Sequence, residues 1–303
     1  MNSALWIAIA AGAIALATPL IIAGLGETLV ERAGRLNLGI EGMMAMGAFV
    51  GIWAASAVGP WMGLLAALAA GVVMAAAMNL AVYRFGANEV VVGLAMTILG
   101  LGLSTYLYLM WIPAGEVNRS VETLPTVSLG PLADVPVLGP VLFQHDIMVY
   151  LLVPLVLGFW ALMRHTTVGL RIHAVGTDPE SARLRGVRVE RVGRGTLLAG
   201  GAMAGLAGGV ITAGSIGSFT PDITAGRGYI VLAVVIMGRL SPLGVTGGSL
   251  LFALFQSFAL LGQGLGLGLP SEVYTTLPYV VTLVVLVLSS RALVRARLAP
   301  MRA

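Results

Sequence analysis

The chain has 303 residues, of which 58% are hydrophobic and 10% charged, with a formal net charge of +4 and a mean hydropathy of +0.97. Apolar runs recur too often and too long for the interior of a water-soluble domain, so the composition excludes one. All 17 basic residues other than histidine are arginine, so the Gly-Lys-Ser/Thr end of a phosphate-cradling loop cannot be written and ATP-driven work would fall to another chain. Cysteine is absent, which removes disulfides and thiolate metal sites.

The apolar runs are continuous over about 20 residues rather than alternating over about ten, which implies helices and not a barrel. The first, at residues 4–25, has no basic residue before Arg32 and is long enough to cross a bilayer, so it is expected to be a retained span. Further runs lie at 36–58, 61–83, 90–112, 147–163, 195–216, 229–238, 243–262 and 273–289. The expectation is an all-α polytopic transmembrane bundle of about nine spans, one of them short or re-entrant. The seventh run is the short one. Ten helical residues cover only ~15 Å of the ~30 Å of hydrocarbon, so residues 218–224 must extend it or make it re-entrant.

Assigning alternate loops to the two sides puts fifteen arginines on one and only Arg119 and Arg227 on the other. By the positive-inside rule the first side is cytoplasmic, leaving the N-terminus outside and the basic tail 291–303 inside. The loop at 113–146 falls outside, carries five prolines, and is expected to form a short cap. No stretch is long enough for a soluble domain, so residues 1–303 form one transmembrane unit.

Seven of the seventeen arginines fall in the cytoplasmic loop 164–194. Within it, residues 178–186 read as a complete short helix: Asp178 at the N-cap, Pro179 first, then Glu180, Ser181 and Ala182, with Arg183, Leu184 and Arg185 near the end and Gly186 as the stop. One reading is a surface turn whose arginines hold anionic membrane lipid. The other is a stiff docking helix pushed by a soluble motor protein.

Glu41 stands about six residues into the second run, where a carboxylate must face the bundle interior, water or a backbone N–H. Structural and transport roles remain equally open for it. Gly34, Gly39 and Gly42 with Asn37 suggest a break or tight turn before that helix, and broken helices often line transport sites. Asn79, Asn88, Thr97 and Gln256 are further polar groups in or beside spans, each readable as a pathway group or as a helix–helix hydrogen bond. Gly201, Gly205 and Gly209 recur every four residues and mark a close-packing face. The three histidines lack metal-ligand spacing, and no catalytic triad or paired carboxylate is visible, so neither a metal nor an enzymatic role is expected.

The segments GTDPESARLRGVRVERVGRGTLLAGGAMAGLAGGV and AGRGYIVLAVVIMGRLSPLGVTGG resemble the membrane permeases of bacterial ABC importers in the ribose, branched-chain amino acid and nucleoside group. ERAGRLNLGIEGMMAMGAFVG and ANEVVVGLAMTILGLGLSTYL are similar to the nucleoside-type permeases that work with a lipoprotein receptor, rather than to the GIDLSVGS-like ribose type. The resemblance implies an ABC permease fold in the plasma (inner) membrane, with residues 178–186 within the coupling helix that sits on the ATPase. It also implies a second, longer permease as partner, an extracytoplasmic substrate-binding lipoprotein, and a nucleoside-like or sugar-containing solute; nucleic acid is not among the implied partners. No cofactor is expected on this chain, ATP and Mg²⁺ being used by the ATPase. The rivals are an ion-coupled secondary transporter or channel using Glu41, and a purely structural membrane scaffold.

Overall fold

A computed structural model describes residues 2–111 and 120–261, except 129, 131, 132 and 134, with isolated positions beyond. The expected ninth run at 273–289 and the tail 291–303 lie outside the described residues. Among the described residues seven helices are long and apolar enough to cross a membrane, with an eighth, shorter apolar helix at Arg227–Met237. The chain is a multi-pass membrane protein; the seven long helices and the short one correspond to the first eight expected runs.

In chain order the helices are α1 Asn2–Arg32, α2 Ile40–Val58, α3 Pro60–Asn79, α4 Glu89–Trp111, α5 Leu138–Leu142, α6 Ile147–His165, α7 Thr167–Thr177, α8 Pro179–Leu184, α9 Val189–Gly209, α10 Arg227–Met237 and α11 Pro242–Leu261. Two π-helical segments, Leu80–Arg84 and Val210–Ile216, continue α3 and α9. The all-α expectation needs one amendment. β1 (Thr126–Ser128) and β2 (Gln144–Asp146) pair antiparallel in the loop expected as a cap, with Val127 opposite His145. Leu124 N–H and Val121 N–H donate to Gly214 and Gly217, pinning this loop to the end of the long helix that continues α9.

The first helix is longer than the apolar run suggests. It reaches Arg32 and buries Glu27 and Thr28 completely. The chain then turns through residues 33–39, with Gly34 at φ 73, and this is the turn expected from the glycines. The arginine-rich loop at 164–194 holds more helix than expected, because α7 precedes α8 and α9 starts already at Val189.

Layering follows from burial: the hydrophobic windows of α2 and α9 are 72% and 78% buried, those of α4 and α6 only 22% and 17%. Thus α2 and α9 form the centre, while α4 and α6 turn leucines, valines and isoleucines outward, as lipid-facing helices must. Helices α2, α3 and α9 pack mutually against one another. A Cβ on Gly205 would come within 2.8 Å of Gly71 Cα, and one on Gly208 within 2.8 Å of Ala48 N. Backbones this close gain dispersion contacts over their whole length, which substitutes for the hydrophobic drive that lipid does not supply.

The packing makes a specific expectation. Gly205→Val should lower stability by ~1–3 kcal/mol or more through overpacking, whereas Gly102→Ala, where nothing lies within 4 Å, should be neutral or slightly stabilising. Thermal melting in detergent checks both, and equal effects would contradict the packing.

Candidate functional site

The seventh run proves to be a broken element. Residues 217–226 form no helix, and Gly226 sits at φ 77 immediately before α10. Asp222 and Ala225 also adopt positive φ, at 61 and 46, a conformation that L side chains hold only when neighbours enforce it. The segment starts at Gly217, bonded to Val121 of the capping loop. Phe219 then packs on Phe49 and Tyr108, with ring centroids 5.9 and 4.8 Å away. It ends at Glu41, eight residues or about 12 Å nearer the start of α2 than Phe49. The alternative left open between an extended helix and a re-entrant course is thereby decided: residues 218–224 do not extend the helix.

Glu41 is what receives the broken end. Its carboxylate is 1% exposed and accepts hydrogen bonds from the Thr224 hydroxyl (2.5 Å), Gly226 N–H (2.9 Å) and Gly228 N–H (2.5 Å). An anion at a helix N-terminus satisfies orphan amides and meets the positive end of the helix dipole. Gly228 has no room for a side chain, since a Cβ would stand 2.7 Å from Glu41 Cα. Of the partners left open for Glu41, backbone N–H groups are the ones present, and its exposure leaves little room for interfacial water.

Next to it lies a second polar centre that the sequence reading did not single out. Glu27 and Asn37 are both fully buried, and Asn37 N–H donates to Glu27 Oε1 at 3.4 Å. Glu27 Oε2, Glu31 Oε1 and Asn37 Oδ1 have no hydrogen-bond partner among the described residues. The available signal was the GETLVER stretch, two glutamates one helical turn apart directly after an apolar run.

Three of the remaining polar candidates, Asn79, Asn88 and Thr97, make hydrogen bonds to backbone groups. Asn79 Nδ2 donates to the Arg194 carbonyl at 3.2 Å, tying α3 to α9. Asn88 Oδ1 accepts from Val90 and Val91 N–H and caps α4. Thr97 donates to the Leu38 carbonyl at 2.8 Å, satisfying the turn before α2. Gln256 Oε1 has no partner among the described residues. The structure thus brings together Asn37 in the turn before α2, Glu41 at the start of α2 and Thr97 of α4, which bonds that turn at Leu38, and leaves Asn88 and Gln256 apart.

At the same end of the bundle Arg35 and Arg194 stack on opposite contacts of Tyr83, 5.1 and 5.0 Å from its ring centroid. Arg35 also pairs with Glu89 at 3.4 Å. Four elements, the turn after α1, the π segment after α3, α4 and α9, are clasped here by charge and ring contacts.

Below this clasp sits α8. Asp178 caps it, accepting from Glu180 and Ser181 N–H at 3.1 Å each and from the Ser181 hydroxyl. These bonds hold the Asp178 carboxyl below the ordinary aspartate range, the Ser181 hydroxyl contributing most. Gly186, at φ 81, ends the helix. Ala182 is buried against Val175 and Val189, anchoring one face on α7 and α9. The other face is bare: Leu184 is 85% exposed beside Arg183 and Arg185.

The chain matches the family described as "Branched-chain amino acid transport system / permease component" over residues 9–289. It is 32% identical over 292 residues to the putative glucose ABC transporter permease protein TsgC13 of Haloferax volcanii, covering 89% of this chain and 88% of that one. With the guanosine ABC transporter permease protein NupQ of Bacillus subtilis it shares 31% identity over 281 residues, 89% of this chain and 88% of the relative. With the nucleoside ABC transporter permease protein NupC of Lactococcus lactis the identity is 30% over 290 residues, at 92% and 91% coverage. No solved structure matches the chain.

Two outcomes follow from the geometry. Replacing Glu41 by Leu strands three donors, at ~1–3 kcal/mol for each buried one, so the melting temperature should fall by several degrees; Thr224→Val should fall less. A Glu41→Leu protein as stable as the parent would contradict the cap. At α8, amide exchange at Glu180 and Ser181 should accelerate in Asp178→Ala but not in Asp178→Asn. Because the Asp178 pKa is depressed, its capping contribution is complete above the ordinary aspartate value and is lost as pH falls through the depressed one. Exchange unchanged by the alanine would remove Asp178 from the cap.

Proposed function

The chain belongs to this family of transport-system permease components, and from that membership we propose that it is the permease subunit of an ATP-binding cassette importer for a nucleoside. The nucleoside reading is supported by NupQ and NupC, whose names specify guanosine and nucleosides, at 31% and 30% identity over most of both chains. A related sugar-containing solute is the neighbouring possibility, given the glucose permease TsgC13 at 32%.

The observation that carries the mechanism is the exposed face of α8. Its backbone is capped at both ends and seated through Ala182, so it is a rigid lever rather than a loose loop. Two arginines flank the exposed Leu184 there, and arginine is among the residues enriched at the energetic centres of interfaces. On this reading the residues from Asp178 to Gly186 dock on a separate ATPase that binds ATP and Mg²⁺. Movement enters the bundle through α7 and α9.

Substrate would arrive from an extracytoplasmic binding lipoprotein. It would pass between this chain and a second, longer permease subunit of the plasma membrane, with the N-terminus outside and the basic tail in the cytoplasm. Asn37, Asn79 and Gln256, each with an amide oxygen unpartnered among the described residues, are the pathway positions left by the hydrogen-bond assignments. The ion-coupled rival is not favoured, because Glu41 is already engaged by three donors.

Exposed residues offer a clean test. In the reconstituted transporter, Leu184→Asp and the double reversal Arg183→Glu with Arg185→Glu should each weaken ATPase retention by about 2 kcal/mol or more, roughly thirtyfold, and abolish uptake. Co-purification and uptake both at the parental level would refute the lever.

A further inference from the structure

The arginine-rich region holds more positive charge than the lever uses. Arg171 and Arg191 stand apart from α8, and neither is in an ion pair with a carboxylate among the described residues. They form the shared wall of two hollows. One, of about 440 Å³, is lined by Arg171, Arg185, Arg188 and Arg191 and contains no acidic side chain. The other, of about 390 Å³, is a trough between α1, α6, α7 and α9 walled by Leu29, Leu162, Val168, Ile172, Val192 and Ala199.

Its floor is open at Gly195, where an added Cβ would meet nothing within 4 Å. The one hydroxyl in it, Thr196, already donates to the Gly193 carbonyl, so the trough offers a ligand no free donor apart from the two guanidinium groups. Trp160, two residues from Leu162 on α6, carries Arg164 over its ring at 5.7 Å, an arrangement suited to the headgroup zone.

We propose that this paired hollow is a binding site for an anionic phospholipid, with the phosphate held between Arg171 and Arg191 and an acyl chain lying in the apolar trough over Gly195. Charge complementarity selects the occupant. A guanidinium pair without carboxylates asks for an anion, and the apolar trough that opens from it at the end of a lipid-facing helix asks for hydrocarbon. An acidic protein surface would satisfy the first hollow and leave the second empty. The site shares Arg185 with the edge of α8 but includes neither Arg183 nor Leu184, so Leu184→Asp reports on the ATPase and the Arg171 and Arg191 pair on the lipid.

The test uses the complete transporter in detergent, given equal amounts of phosphatidylglycerol and phosphatidylcholine with the same acyl chains, with retained lipid counted by native mass spectrometry. Phosphatidylglycerol should be retained over phosphatidylcholine by on the order of tenfold. That preference should vanish in Arg171→Ala with Arg191→Ala, persist when both are replaced by lysine, and leave ATPase retention unaltered. Gly195→Leu, which fills the trough without touching charge, should release both lipids from the folded protein. Equal retention of the two lipids, a preference surviving the double alanine variant, lipid still bound to Gly195→Leu, or loss of the ATPase instead of the lipid would each overturn the assignment.

Discussion

Ten residues run from the rim of the capping loop into the bundle without forming a helix, and α10 begins where they end. Hydrocarbon supplies no water to the amides at such a beginning, so protein must. Glu41 does, with both carboxylate oxygens engaged and the dipole of α10 supporting its charge. The cost of burying a carboxylate and the cost of an uncapped helix start cancel against each other. Neither α2 nor α10 would be placed as it is without the other, and α10 in turn positions α11 through the turn at Gly238 and Gly244.

Around that joint the bundle is assembled by contact rather than by polarity. Glycines on α9 admit the backbones of α2 and α3, and the clasp of Arg35, Tyr83, Glu89 and Arg194 ties the turn after α1, the end of α3, α4 and α9 together at the end where α8 is attached. Tightly interlocked helices of this kind move as bodies and do not bend continuously. A push delivered at α8 would therefore have a stiff route, through Ala182 and Val189, into the most buried of the long helices among the described residues.

Local chemistry was legible in the sequence. Both ends of α8 were readable because a cap, a first-turn proline and a terminal glycine act within nine residues. The helix periods and the glycine stripe of α9 were equally plain. What escaped was long-range. Glu41 meets partners more than 180 residues away in the chain, and no spacing rule connects them. The end of α1 was misplaced because Glu27 and Glu31 interrupt the apolar run, although the bundle buries Glu27. The small sheet at 126–128 and 144–146 is three residues per strand, too short for an alternation pattern to register.

A permease with the carboxylate of Glu41 committed to structure has no carrier group at that position to couple ions, and the proposed source of work is a separate ATPase. The most direct measurement is nucleoside uptake into proteoliposomes of the complete transporter, with ionophores collapsing both the membrane potential and the pH gradient. The account requires uptake to continue while ATP is supplied on the ATPase side and to stop when it is withdrawn. Uptake driven by an imposed ion gradient in the absence of ATP would contradict it.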